Sequence, residues 1–257
     1  MNADRPPALD LTGERTVPGV DRENYWFRRH EAAYLWVSRE FRPSAGEAPY
    51  VLEAGSGEGY GADLLRRAFG GPVVALDYDD AACTHARRAY PGVSIVRCNL
   101  AALPVRPDVA ALAVSMQVIE HLWNVAGFLD GVRSALRPGG VAVVSTPNRL
   151  SFSPGLERGE RPTNPYHVEE FDRAQVVELL VAAGFADVSV VGLSAGERLA
   201  ADERSSGSIV GAQVAAIVND AWTDQLDARV RLVTAHDFVV GPAHDDCLDL
   251  IGVGVRV

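Results

Sequence analysis

The stretch Val51-Leu52-Glu53-Ala54-Gly55-Ser56-Gly57-Glu58-Gly59-Tyr60-Gly61 lies between an apolar strand start and the helical pattern Ala62-Asp63-Leu64-Leu65-Arg66-Arg67. A strand that ends in glycines can take positive φ and lets a ligand approach without meeting a Cβ. The glycines follow E-x-G-x-G-x-G, with the carboxylate of Glu53 at the strand end, a departure from the dinucleotide fingerprint. A carboxylate there repels a pyrophosphate and suits a cationic ligand. One strand further on, Val73-Val74-Ala75-Leu76-Asp77 ends in an acid about twenty residues after the glycines, where a carboxylate can hold ribose hydroxyls. A nucleoside is implied, without a phosphate cradle.

Together these residues resemble the first two motifs of the class I S-adenosylmethionine-dependent methyltransferases. The resemblance implies an α/β, Rossmann-like fold: a seven-stranded, mostly parallel sheet with helices on both faces and the last strand antiparallel. It also implies that Gly55 and Gly57 pack against the amino-acid part of S-adenosylmethionine, that Asp77 grips its ribose, and that Glu53 lies beneath its ammonium group. An ordinary strand-to-helix turn is the plain alternative for the glycines taken alone. Val93 to Arg97 reads as the third strand, and in this family the residues that follow, here Asn99 and Leu100, contact the adenine.

The 257 residues and 47% apolar content suit one large α/β domain with additions. No signal-peptide pattern follows Met1, and no apolar run approaches a membrane span, so the expectation is a cytoplasmic protein without a membrane partner. A formal charge of −10 disfavours a nucleic-acid track, and all 24 basic residues are Arg. Cys83, Cys98 and Cys247 are unclustered and suggest neither a disulfide framework nor a cysteine metal site.

Residues 1–45 read as an N-terminal arm and cap helix, and residues 46–257 as the catalytic domain, with residues 194–247 inserted as part of the substrate wall. The arm carries Leu11-Thr12-Gly13-Glu14-Arg15-Thr16 and then Glu23-Asn24-Tyr25-Trp26-Phe27-Arg28-Arg29-His30-Glu31, with a helix expected to about Glu40. This wording is similar to the start of actinobacterial methyltransferases of polymethylated sugar synthesis. That resemblance implies a lid, with Arg15 or Tyr25 near the carboxylate of the methyl donor.

Further strands are expected at Val109–Ser115, Val141–Thr146, Asp187–Val191 and Leu250–Val257, with helices over 125–136 and 172–183 and a mostly helical stretch over 209–233. A long loop opens at Leu150 and runs to Val168. His244, Asp245, Asp246 and Asp249 read as a solvated polar turn.

At the carboxyl end of the fourth strand, where open α/β sheets place their chemistry, stands Gln117-x-x-Glu120-His121, and His167 follows in the long loop. The pattern resembles the E-x-x-E-H metal site of small-RNA 3′-terminal 2′-O-methyltransferases, with Gln117 in place of the first Glu. Glu120, His121 and His167 are therefore candidates both for catalysis and for binding a divalent ion such as Mg²⁺, while Gln117 is assigned to the cofactor side. The metal-free alternative keeps His121 as general base and Glu120 as a helix cap. A sugar hydroxyl is a poor nucleophile, so either a base or a Lewis acid suits it.

The resulting expectation is O-methylation of a mannoside or glucoside, by a monomer or homodimer that binds no nucleic acid. Tyr25, Trp123 and Tyr166 are candidates to stack on the sugar ring. Rival expectations are methylation of an RNA 3′-terminal ribose, C- or N-methylation of a small metabolite, and cofactor binding without turnover.

Overall fold

The computed structural model of the protein describes residues 16–43 and 46–257. Its strands are β1 (Val51–Ala54), β2 (Val73–Asp77), β3 (Ser94–Arg97), β4 (Ala110–Met116), β5 (Leu136–Pro147), β6 (Phe185–Ala195), β7 (Phe238–Pro242) and β8 (Asp249–Arg256). They form one sheet in the order β3-β2-β1-β4-β5-β8-β6-β7. Strands β1 to β5 pair in parallel, β8 runs antiparallel to both β5 and β6, and β7 runs antiparallel to β6. The expected mostly parallel sheet with an antiparallel last strand is present, with eight strands in place of seven. The additional strand, β7, lies in the segment that was read as an insertion.

Nine helices are described: α1 (Asn24–Glu40), α2 (Tyr60–Phe69), α3 (Asp80–Ala89), α4 (Val125–Ala135), α5 (Arg149–Phe152), α6 (Arg173–Ala182), α7 (Glu197–Ser206), α8 (Ile209–Val218) and α9 (Asp224–Arg231). Several begin where a short polar side chain closes the first turn. Asp79 accepts from the Ala82 amide, Asn124 from Gly127, and Ser208 from Gly211, while Asp172 and Gln175 form a capping box.

The sheet separates two cores. One holds Tyr34, Val37, Leu65, Ala86, Leu199 and Val230 from α1, α2, α3, α7 and α9, and the other holds Phe128, Leu129, Val132, Val176 and Leu180 from α4 and α6. Strand β4 is covered on both faces, which explains its continuous apolar run. Where β4 meets β5 the register shifts between Ala110 and Leu112, and β5 begins at Leu136. The Arg137-Pro138-Gly139-Gly140 segment, expected to separate helix from strand, is thus part of the strand, with Gly139 at φ +75°.

Other boundaries also differ from expectation. The long loop contains the single turn α5, β6 is eleven residues long, and the helical stretch over 209–233 is broken into α8 and α9. Helix α7 precedes them. No described helix is long and apolar enough to cross a membrane.

Candidate active site

Gly55 is the pivot of the first cavity, which has a volume of about 660 Å³. Its φ is +87°, and a Cβ there would stand 2.3 Å from Val118 Cγ2, so the turn requires glycine. The amides of Gly55 and Ser56 both donate to the Leu76 carbonyl, at 2.8 and 2.9 Å, which fastens the turn to the end of β2. Asp77 stands opposite and accepts from the Gly57 amide at 2.6 Å and from the Asp79 amide at 2.9 Å. Gly55, Gly57, Asp77, Asn99, Leu100 and Gln117 all line this cavity. The Asn99 side-chain oxygen accepts from the Ala101 amide, which turns the chain after β3.

Glu53, expected beneath the donor's ammonium, is fully buried and is not among the residues that line this cavity. The Tyr34 hydroxyl donates to its Oε1 at 2.5 Å, and its Oε2 has no hydrogen-bond partner among the described residues. Burial pushes the Glu53 carboxyl up to about 8. Tyr34 reaches it across Gly61, where a Cβ would stand 2.2 Å from Tyr34 Cζ. The last glycine of the motif therefore admits the tyrosine of α1 that holds the glutamate. Tyr34 was not among the residues singled out in the sequence.

A second cavity of about 590 Å³ adjoins the first, and Thr16, His30, Gln117 and His121 line both. On its floor Glu120, His121 and His167 converge, with one potential ligand atom from each lying within 4.8 Å of the others. His121 Nδ1 is 3.0 Å from the Tyr166 carbonyl, which requires the ring proton on Nδ1 and puts the lone pair on Nε2. That Nε2 is 4.0 Å from Glu120 Oε1. Burial lowers the His121 pKa below its ordinary value, so the imidazole is neutral and basic at neutral pH.

His167 is set by its loop. Its Nδ1 donates to Glu170 Oε1 at 2.7 Å, leaving Nε2 as acceptor for the Asn164 amide at 3.0 Å. The amides of Val168 and Glu169 both donate to the Glu120 carbonyl, joining this loop to the end of β4. Glu120 itself is 1% exposed, and its Oε2 has no hydrogen-bond partner among the described residues. Burial raises the Glu120 carboxyl to about 8. His30, half-buried where it lines both cavities, has its pKa pushed down by burial first and by the neighbouring Arg29 charge second, and is therefore neutral.

Gln117 has φ +56°, and its side chain turns away from the histidines. It accepts from Arg29 at 3.3 Å and donates to Ser145 at 3.1 Å and Asp249 at 3.3 Å. Arg29 and Asp249 are both buried, 2% exposed each, and joined by two hydrogen bonds of 2.6 and 2.8 Å. The reading of Asp249 as part of a solvated turn is thus corrected: its charge is required inside to balance Arg29.

Tyr25 does not line either cavity. It is fully buried and packs edge-on against Trp26 and Phe238, so it is a core aromatic that joins α1 to β7. Neither donor contact nor sugar stacking is available to it there. Trp123 and Tyr166, by contrast, are exposed at the mouths of the first and second cavities. Arg15 lies outside the described residues. Asn164, Glu170, Tyr34 and Arg29 complete the set that sequence reading had not assigned to the site.

Comparison with known proteins agrees with this architecture. Residues 25–190 match the family model described as a methyltransferase domain. A probable S-adenosylmethionine-dependent methyltransferase of Mycolicibacterium smegmatis is 48% identical over 98% of this chain and 96% of its own length. A probable S-adenosylmethionine-dependent methyltransferase of Mycobacterium tuberculosis is 45% identical over 98% of this chain and 91% of its own. Among solved structures, an S-adenosylmethionine-dependent methyltransferase of Thermotoga maritima, titled a possible histamine N-methyltransferase, superposes with a TM-score of 0.60. It covers 93% of this chain and 96% of its own at 16% identity, a likeness of fold. With the matched domain spanning the glycine turn, Asp77 and the histidine cluster alike, the chain belongs to the class I S-adenosylmethionine-dependent methyltransferases.

Proposed function

We propose that the enzyme methylates a hydroxyl of a mono- or oligosaccharide, a mannoside or glucoside. The observation that carries the reading is the orientation of His121, whose Nε2 lone pair is fixed by the Tyr166 carbonyl at the wall shared by the two cavities. S-adenosylmethionine supplies an electrophilic methyl group on a sulfonium. Gly55 and Gly57 would leave room for its amino-acid part, Asp77 would offer a carboxylate to its ribose hydroxyls, and the buried Glu53 would support the turn from behind.

On the acceptor side His121 Nε2, 4.0 Å from Glu120 Oε1, takes the hydroxyl proton as the oxygen bonds to the methyl carbon and the carbon–sulfur bond breaks to release S-adenosylhomocysteine. General-base assistance of this kind contributes about 10²–10⁴-fold to rate. Positioning contributes the larger part, because the methyl is already activated.

The donor set also fits a divalent ion. Glu120 Oε2 is buried and unsatisfied, and Glu170 orients His167 in the manner of a carboxylate behind a metal-bound imidazole. Glu120, His121 and His167 would hold such an ion, once the Asn164 amide leaves His167 Nε2. Two imidazoles and one carboxylate suit Mn²⁺ or Zn²⁺ better than Mg²⁺, which prefers oxygen ligands. Bound there, it would lower the pKa of an acceptor hydroxyl.

The deciding measurement is transfer of labelled methyl to a panel of mono- and disaccharides, a phenol, a carboxylic acid and a short oligoribonucleotide, with and without EDTA. Transfer to a glycoside is the expected result. Transfer only to the phenol, the acid or the RNA end overturns the sugar reading. Activity lost in EDTA and regained with a divalent ion supports the metal, and activity indifferent to EDTA removes it.

A further inference from the structure

Helix α8, Ile209-Val210-Gly211-Ala212-Gln213-Val214-Ala215-Ala216-Ile217-Val218, contains no ionisable residue. A surface helix ordinarily pairs one apolar face with a polar one, and a helix apolar all round is one whose second face is also covered. Ile209, Gln213 and Ala216 are buried and seat α8 on the protein body. Val210, Val214, Ile217 and Val218, at i, i+4, i+7 and i+8, form the adjoining stripe, and all four line the second cavity. Val214 is 51%, Ile217 65% and Val218 76% exposed. This stripe is therefore one wall of the same space whose floor carries Glu120, His121 and His167.

The same cavity is also lined by Trp26 and Phe152, whose rings are 6.4 Å apart with the Arg29 guanidinium lying over both. A saccharide alone presents hydroxyls to the α8 stripe and leaves that surface poorly matched. The cavity volume lies within the range of sites that enclose a ligand of drug size, enough for a sugar ring with a substituent. From Val210 to Val218 the stripe runs about 12 Å at the helical rise of 1.5 Å per residue.

We propose that the acceptor is an amphiphile: a glycoside whose sugar hydroxyl reaches His121 while an attached aliphatic chain lies along the α8 stripe. The proposal rests on the sugar reading above and specifies its substrate class. Continuity of the stripe with the catalytic floor is what selects a substrate tail as the occupant. A lipid surface is the other apolar occupant to consider, but Asp220 and Asp224 follow α8 and repel the anionic headgroups that such helices use for attraction.

The test is a homologous series of methyl, butyl and octyl glucosides and mannosides, each below its micelle concentration, assayed for labelled methyl transfer and titrated calorimetrically in the presence of S-adenosylhomocysteine. KM is expected to fall progressively along the series, on the order of 100-fold from methyl to octyl, as about half of the surface of the added methylenes leaves water. Ile217→Asp is expected to collapse the ratio between octyl and methyl acceptors, and Ile217→Leu to retain it. Thermal unfolding of both variants establishes that they are folded.

Equal kcat/KM across the series, or an undiminished ratio in folded Ile217→Asp, overturns the tail site while leaving the sugar reading intact. Calorimetric binding that strengthens with chain length, without transfer to any glycoside, sinks the sugar reading and retains the tail site. Co-sedimentation with anionic or zwitterionic vesicles, abolished by Ile217→Asp and accompanied by no chain-length preference, assigns the stripe to a membrane and overturns the proposal.

Discussion

The two cavities share Gln117 and His121, yet they are assembled by opposite means. The donor side is largely local: although α1 and the end of β4 close it, a glycine turn, the acid at the end of the next strand and the turn after β3 follow one another within residues 53–100 and are fastened by main-chain bonds such as Gly55 and Ser56 to Leu76. The acceptor side is gathered from α1, the end of β4, the loop after α5, α8 and β8, and is held by side chains distant in sequence. Arg29 and Asp249 are separated by 220 positions. Where the backbone makes the site, a few residue types suffice and their spacing is readable. Where side chains make it, each partner depends on a fold that must first be complete.

If the two sides are separable in this way, substitutions should divide cleanly between them. The largest effect is expected at His121→Ala, with kcat lower by about 10²–10⁴-fold and the dissociation constant for S-adenosylmethionine altered by less than about threefold. Equal losses in both quantities would mean that the sides are one unit. In the unsubstituted enzyme the lowered His121 pKa places the rise of activity with pH below the ordinary histidine value of 6.5, because the neutral base accumulates above its own pKa.

Next in size is Asp249→Ala, which strands the buried Arg29 charge. A loss of about 3–5 kcal/mol in unfolding free energy by denaturant titration is expected. A variant as stable as the parent would show that Arg29 finds solvent or another partner.

Gly55→Ala probes the donor side by both φ and contact, since the added methyl meets Val118. A cost of about 1–3 kcal/mol is expected from the strained backbone. Calorimetry should show weaker donor binding, while acceptor KM at saturating donor stays close to the parent value.

The remaining test concerns Glu53. Its carboxyl rises from an ordinary 4.5 to about 8 in the folded chain, so the stability linked to its protonated form is complete below about 4.5 and is lost as pH rises through about 8. Glu53→Gln should abolish that part of the decline, so its melting temperature relative to the parent should rise between pH 5 and pH 8. Parallel curves would indicate that Glu53 titrates normally.

The same contrast explains which parts were legible in the sequence. Asp77, Gly55 and Gly57 could be identified because turn geometry restricts residue type locally, and β4 could because a strand covered on both faces cannot alternate. Tyr34 could not be found, because only the fold brings α1 over Gly61. Asp249 looked like a polar turn residue until Arg29 was placed against it. Strand β7 is five residues ending in Gly-Pro, a turn signal, and it pairs only at the sheet edge. Tyr25 was misread for the converse reason: an aromatic beside charged neighbours looks like a ligand group, although its ring is enclosed between Trp26 and Phe238.

Strand β8 lies between β5 and β6, although it follows both along the chain. The consequence is one of timing. While the polypeptide emerges from the ribosome, β5 and β6 must wait with an open gap, and Arg29 has no counterion until residue 249 has been made. A nascent chain arrested just before that point should already possess the glycine turn and its neighbouring strands, but not the sealed floor beside His121. Protease sensitivity of stalled chains should fall abruptly when β8 clears the exit tunnel, a step rather than a gradual ramp.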